Sequence, residues 1–270
     1  MKILLLGHRD IASNIALSLL VSAMPQHRYV IMLSGHVQAS TSTPRELAEL
    51  AAFEQRLCDE LDGLSHYGIL SFDRLAERTG GPLRILAQPN AGDDLALLAE
   101  LRPDLVISVR YRRILREAAI AIPAHGVLNL HSGLLPRYKG MMATFWAMLA
   151  ADQTIGSTLH YIVDGTIDTG PIVGRAPIPA DRQRSYLANV LALYTAGCRM
   201  IIDAVNRIER GEAVACHEQP EAGAYYSSPG REQILRFQEA GLRLFDGNEL
   251  QQFMPELEAF DCRSIAAGHA

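Results

Sequence analysis

The first 34 residues constrain the fold more than any other stretch. Lys2–Leu6 is an apolar run of strand length, closed by the turn Gly7-His8-Arg9-Asp10. Ile11, Ile15, Leu17, Leu19 and Leu20 then mark a helix over Ile11–Val21, and Tyr29–Ser34 is a second strand. Strand, helix, strand in so little chain is a βαβ unit, because parallel neighbours need a crossover and a helix supplies it. That crossover is right-handed, so the helix packs back onto one face of a parallel sheet.

The same texture continues. A helix over about Pro44–Leu61 carries Leu47, Leu50, Phe53 and Leu57 on one stripe. Leu83–Leu86, after Gly81-Pro82, reads as a strand. Ala91–Leu101 reads as a helix started by Asn90 or Asp93, Leu105–Val109 as a strand and Leu115–Ala121 as a short helix. Gly126–Leu130 is an apolar run that opens into a long loop. Helix Thr144–Ala151, strands Gly156–Val163 and Ile172–Ile178, and a long helix over Ser185–Arg210 follow. After Gly211 come turns, the polar-aromatic segment Tyr225-Tyr226-Ser227-Ser228-Pro229, and helices over Arg231–Ala240 and Asn248–Phe260. The expected fold class is α/β, a doubly wound and mostly parallel sheet. Its catalytic domain spans residues 1–210, and a small C-terminal extension, 211–270, packs on or near the site, its last ten residues frayed.

Composition narrows the classes of function. At 270 residues, 49% hydrophobic and 20% charged, the chain suits one large α/β domain with or without an appendage. A net charge of −5, with no basic run longer than two residues, speaks against a nucleic-acid partner. No apolar run reaches the roughly 18–20 residues of a membrane span, and the N-terminal run is too short for a signal peptide. Cys58, Cys198, Cys216 and Cys262 form no CxxC and no Cys/His ligand spacing. They read as reduced, mostly buried thiols in a cytoplasmic protein, with no metal site.

The chemistry gathers around Val127-Leu128-Asn129-Leu130-His131-Ser132-Gly133-Leu134-Leu135-Pro136-Arg137-Tyr138-Lys139-Gly140. Asn129 and His131 share strand parity and point the same way, at the end of a strand that opens into a loop, where α/β sheets bind ligands. A carboxylate follows in Asp168-Thr169-Gly170-Pro171. Taken singly, each has a bland alternative: a turn-forming Asn, a satisfied core His, an ordinary Asp-Thr-Gly turn. Asp-Thr-Gly also spells the aspartic-protease triplet, but that belongs to an all-β bilobal protein. Tyr138 and Lys139 read as loop surface.

With these residues in hand, the chain resembles the folate-dependent formyltransferases. Their N-x-H-x-S/G-L-L-P-x-Y-x-G, G-x-T-x-H and D-x-G motifs are matched by Asn129–Gly140, by Gly156-Ser157-Thr158-Leu159-His160 and by Asp168-Thr169-Gly170. Order and spacing agree over about Leu101–Pro177. The resemblance implies a Rossmann-like sheet, 10-formyltetrahydrofolate as donor, and Asn129, His131 and Asp168 as catalytic residues. It also implies a pterin pocket at Arg112, Arg113, Ile114 and Leu115, facing Val163, Asp164 and Gly165; the two arginines read equally as solvated charges. The chain departs from the pattern at Ser132 and Gly133, and at Arg110-Tyr111-Arg112, where a smaller segment is usual.

Formyl transfer suits these groups. An amine attacking a formyl carbon creates an oxyanion and must pass a proton to the leaving nitrogen. Asn129 is a donor that cannot ionise, and one such donor is typically worth about 3–4 kcal/mol. His131 can donate to the same oxygen and exchange protons near neutrality. Asp168 can orient the imidazole and order a proton-carrying water. His160, on the parity of Thr158, supports the site or packs in the core.

The acceptor is less constrained. The turn after the first strand holds one glycine, Gly7, where a phosphate cradle needs several. That tells against a phosphoribosyl acceptor. Arg9 and Asp10 either bind an amino-acid acceptor, cation to carboxylate and anion to ammonium, or are helix-start residues. A hydroxyornithine acceptor, as in siderophore biosynthesis, therefore ranks ahead of a nucleotide-linked amino sugar, and glycinamide ribonucleotide ranks third. An initiator methionyl-tRNA enzyme should carry a basic barrel after Arg210. Two other classes remain: a nucleotide-dependent oxidoreductase, disfavoured by the missing G-x-G-x-x-G, and a non-catalytic folate-binding module, disfavoured by the complete trio.

Overall fold

The computed structural model describes residues 1–35, 43–58, 61, 65, 67–220 and 223–260; Cys262 and the expected frayed end lie outside them. A seven-stranded sheet has the order β3-β2-β1-β4-β5-β7-β8. Its strands are β1 (Lys2–Gly7), β2 (Arg28–Leu33), β3 (Arg84–Ile85), β4 (Leu105–Val109), β5 (Val127–His131), β7 (Thr154–Ile162) and β8 (Ile172–Pro179). The first five are parallel, β7 is antiparallel to β5, and β8 is antiparallel to β7. A second sheet pairs β6 (Tyr138–Gly140) with β9 (Ala224–Tyr226).

Both faces are covered at the centre of the main sheet, which is why β1, β4 and β5 are buried almost throughout rather than alternating. Ile3, Leu5, Ile107, Leu128 and Leu130 belong to one core. Leu4, Leu6, Val106 and Val127 face the other. The first core is closed by α1 (Ile11–Ala23) and α7 (Tyr186–Glu209), the second by α4 (Gly92–Leu101) and α5 (Glu117–Ile120). By length and composition α7 is apolar enough to cross a membrane, but most of it is buried in this core. Among the described residues, the stretch after Arg210 has no core of its own: Ile234 and Phe237 of α8 (Arg231–Glu239) and Phe253 and Leu257 of α9 (Glu249–Glu258) join the first core.

Several expectations are corrected. The strand expected at Leu83–Leu86 is the two-residue edge strand β3. The expected Pro44–Leu61 helix is α2 (Arg45–Leu57). An unforeseen helix, α3 (Phe72–Thr79), is capped by Ser71 and ended by Gly80 in the left-handed region at φ 79°. It buries only Phe72 and Leu75, too few apolar residues to produce a periodic signal. Neither Asn90 nor Asp93 caps α4, whose N-cap is Ala91. Asn90 instead holds the chain before α5, donating to the Ile114 carbonyl at 2.8 Å and accepting from the Arg116 N–H at 2.7 Å. Cys58 and Cys198 are buried, but Cys216 is exposed. Tyr138, expected at the surface, is 3% exposed.

Candidate active site

β5 and β7 build the centre. Their register sets Asn129 opposite His160 and His131 opposite Thr158, and cross-strand partners of this kind share one face. Asn129 Nδ2 lies 3.0 Å from His160 Nε2. His160 Nδ1 lies 2.9 Å from the Tyr161 carbonyl, which can only accept, so Nδ1 carries a proton, and Nε2 faces both Asn129 and Asp168. The sequence leaves His160 between a supporting role and core packing; the structure brings it into the cluster.

The turn between β7 and β8 supplies Asp168. Its backbone is in the left-handed region at φ 55°, uncommon for a residue other than glycine. One oxygen accepts from the Gly140 N–H at 2.8 Å and lies 3.3 Å from His131 Nδ1; the other lies 3.4 Å from His160 Nε2. Burial alone would raise this carboxyl. The His131 and His160 imidazoles and the Gly140 N–H outweigh it and hold the pKa down to about 2. Asp168 is therefore an anion at neutral pH.

His131 is 8% exposed and its Nε2 donates to the Tyr138 carbonyl at 2.7 Å. Both ring nitrogens thus face the protein, one toward a carbonyl and one toward Asp168. The imidazole reaches a reacting oxygen only by giving up Tyr138. Asn129, half-buried in the middle of β5, is the more accessible donor.

The motif loop is tied down from below. Thr158 Oγ1 donates to the Gly133 carbonyl at 2.7 Å and accepts from the Leu135 N–H at 3.1 Å. Arg175 donates to the Leu135 carbonyl at 2.7 Å. Gly133 is required by space: a Cβ there would sit 2.6 Å from His131 Nε2 and collide with the Ala143 methyl. The family's more usual Ser could not fit this loop unchanged. Gly140 needs its φ of 92° to turn its N–H onto Asp168.

The pterin segments meet in part. A Cβ on Gly165 would lie 3.9 Å from the Leu115 carbonyl and 4.0 Å from Ile114 Cγ2. Ile114 and Val163 are about half exposed, apolar side chains turned to solvent on either side of it. Asp164 is exposed and accepts from the Thr166 N–H at 2.7 Å. Arg112 and Arg113 point elsewhere: Arg112 pairs with Asp10 at 3.3 Å, and a Cβ on Gly35 would lie 3.9 Å from Arg113 Nη2.

The expected substrate pair also separates. Arg9 is exposed, its guanidinium 5.3 Å from the centre of the Phe72 ring. Asp10 is 3% exposed and caps α1, accepting from the Ser13 N–H at 2.8 Å. It also pairs with Arg110 at 2.9 Å. A carboxylate so buried and so paired is not open to a substrate ammonium. Burial opposes its charge, but Arg110, Arg112, His8 and the Ser13 N–H hold its pKa below the ordinary value. Beside it Glu54 lies 3.3 Å from Arg110. Burial pushes the Glu54 carboxyl up to about 7, Asp10 adding to the rise and the two arginines opposing it.

Residues 86–196 match the family model described as formyl transferase. This segment belongs to the formyl transferase family. It carries α4 through the first half of α7, and with them Asn129, His131, His160 and Asp168. A methionyl-tRNA formyltransferase of Acidothermus cellulolyticus is 36% identical over 157 residues, 56% of this chain and 46% of its own length. The chain spans about half the length, or less, of the curated relatives it matches first. The fold is shared with a 4-N formyltransferase from Francisella tularensis at a TM-score of 0.58 and 12% identity, covering 94% of this chain and 87% of that one. It is shared also with an N-formyltransferase from Helicobacter canadensis, solved with folinic acid and dTDP-3-aminofucose, at 0.57 and 16%, covering 87% and 72%.

Proposed function

We propose that the protein transfers a formyl group from 10-formyltetrahydrofolate to the nitrogen of a small amine or hydroxylamine. The observation that carries this is the convergence of Asn129, His131, His160 and an ionised Asp168 within the formyl transferase segment. A folate ring fits the strip at Gly165, where half-exposed Ile114 and Val163 offer apolar contact and the Leu115 carbonyl lies close. Bound there, the folate would supply an activated formyl carbon. Asn129 then offers an N–H to the oxygen that gains negative charge. Asp168, ionised, orders a water that carries the proton from the attacking nitrogen to the folate nitrogen, which leaves as its bond to the formyl carbon breaks, and the imidazoles beside Asp168 balance the charge. Ile114, Leu115, Val163 and Gly165 bind the donor in this proposal, whereas Arg112 acts through Asp10.

For the acceptor, the loop after β1 is informative. The N-terminus of α1 is occupied by Asp10's own carboxylate, in the place where a helix would otherwise receive a phosphate. An acceptor held by phosphate at that point is disfavoured, and a hydroxyornithine-type side chain ranks ahead of a nucleotide-linked amino sugar. A hydroxylamine nitrogen is weakly basic and largely neutral at pH 7, so it attacks without a strong base. Arg9, exposed at the carboxyl end of β1, is the cation proposed for the acceptor's carboxylate.

The test is formyl transfer from 10-formyltetrahydrofolate to N5-hydroxyornithine, a nucleotide-linked amino sugar and methionyl-tRNA in parallel. Turnover of hydroxyornithine alone is expected, and turnover of either other acceptor without it reverses the ranking. In the active assay Asp168→Asn should lower kcat by about 100-fold or more with folate affinity nearly kept. A fully active variant removes Asp168 from the mechanism.

A further inference from the structure

Asp168 sits on a turn with a left-handed backbone, and a chain from beyond α7 is bonded to it. His217 exchanges both backbone hydrogen bonds with Ile172, at 2.8 and 2.9 Å. Two residues on, the Gln219 carboxamide donates to the Asp168 carbonyl at 3.0 Å and to the Gly170 carbonyl at 2.7 Å. The strand β9 then lies parallel to β6, and its Tyr226 carbonyl accepts from the Met141 N–H at 2.8 Å. The same strap thus grips both ends of the Gly140 to Asp168 hydrogen bond: the turn that carries the carboxylate and the strand that carries the N–H.

We propose that Gln219 is a positioning residue, fixing Asp168 so that its carboxylate meets Gly140, His131 and His160 together. The proposal rests on Asp168 being the carboxylate of the transfer reaction. Both partners of Gln219 are carbonyls, which only accept, so the amide orientation is forced and both of its N–H bonds are used. Its Oε1 is left buried with no hydrogen-bond partner among the described residues. A side chain there merely to fill space would be apolar and leave no acceptor unpaired. Donation to the turn is the property that an apolar side chain of the same shape would lack. The Gly170 backbone packs so closely on the Tyr161 carbonyl that a Cβ there would collide with it.

Gln219→Met keeps the shape and removes the donors; Gln219→Ala removes both. The measurements are carboxyl 13C NMR of Asp168 and amide exchange at Gly140, in the whole protein. In the native chain the Asp168 signal should stay ionised to about pH 4, as expected for a strongly depressed carboxyl. In Gln219→Met it should begin to titrate above that pH. Exchange at Gly140 should speed about tenfold or more while amides inside α7 keep their rates. Affinity for 5-formyltetrahydrofolate should change less than about threefold, a small step beside tenfold per 1.4 kcal/mol. A folded Gln219→Met with native Asp168 ionisation and native Gly140 exchange overturns the proposal. If neither variant folds, the native protein decides. Gln219 side-chain amide protons exchanging as slowly as the turn support the pin, and exchange at the free-amide rate overturns it. None of these signals needs turnover, so a fully active Asp168→Asn would sink the catalytic reading and leave this one to its own result.

Discussion

Asp10 and Asp168 are both shielded from solvent, with side chains 4% and 10% exposed, and they are kept ionised by different means. Val109 pairs with Leu130 across β4 and β5, so Arg110 and His131 leave the sheet side by side. Asp10 is held by Arg110 and Arg112, whose charges are permanent, and by the first turn of α1. Asp168 is held by two imidazoles and one N–H. A guanidinium fixes a carboxylate without ever taking part in proton exchange. Imidazoles fix it while keeping a proton that can move. The first arrangement is what a fold needs, the second what a transfer reaction needs.

The sharpest way to break this contrast is to remove the permanent cation. Arg110→Met leaves Asp10 and Glu54 buried without their shared partner, and breaking a buried pair from one side costs about 3–5 kcal/mol. A large drop in unfolding free energy is expected by denaturant titration. A variant of native stability would mean that the array is not holding the fold. Asn129→Ala should do the reverse. Its melting temperature should stay near native, while kcat falls more than KM rises, by the roughly 3–4 kcal/mol of a lost oxyanion donor. A rise in KM alone would make Asn129 a binding residue and weaken the distinction.

How much of this was legible in the sequence follows from how local each signal is. The βαβ opening, β5 and the helical stripe of α7 are carried by consecutive or periodic apolar residues, and they fold as read. The parity of Asn129 and His131 and the G-x-T-x-H strand also lie within single elements. By contrast, the Gly140 N–H and the Tyr138 carbonyl are backbone groups that every sequence has. Gln219 meets Asp168 only after the chain returns beyond α7, and nothing in its neighbours announces this. Asp10 could be read as a helix start or as a ligand. The choice was made by Arg110, 100 residues away along the chain, which no pattern near Asp10 reveals. Local chemistry was readable, and partnership across the sheet was not.

The smallest effect expected separates the two carboxylates of the Arg110 array. Glu54 is the weaker partner: Asp10 takes both guanidinium groups and a backbone N–H, and Glu54 is pushed up to about 7. A folded-state value above the unfolded one, near 4.3, means that folding favours the protonated form. Its contribution is full below about pH 4 and is lost as pH rises through about 7. Glu54→Gln mimics the protonated carboxyl at every pH. It should therefore match the native protein near pH 5 and exceed its stability near pH 8, by on the order of 1 kcal/mol. Paired denaturant titrations at the two pH values read this directly. A native protein that gains on the variant between pH 5 and 8 would show Glu54 to be ionised and fully paired. Arg110 would then serve two anions at once, and the array would be a closed salt-bridge triad rather than one ion pair with a neutral neighbour.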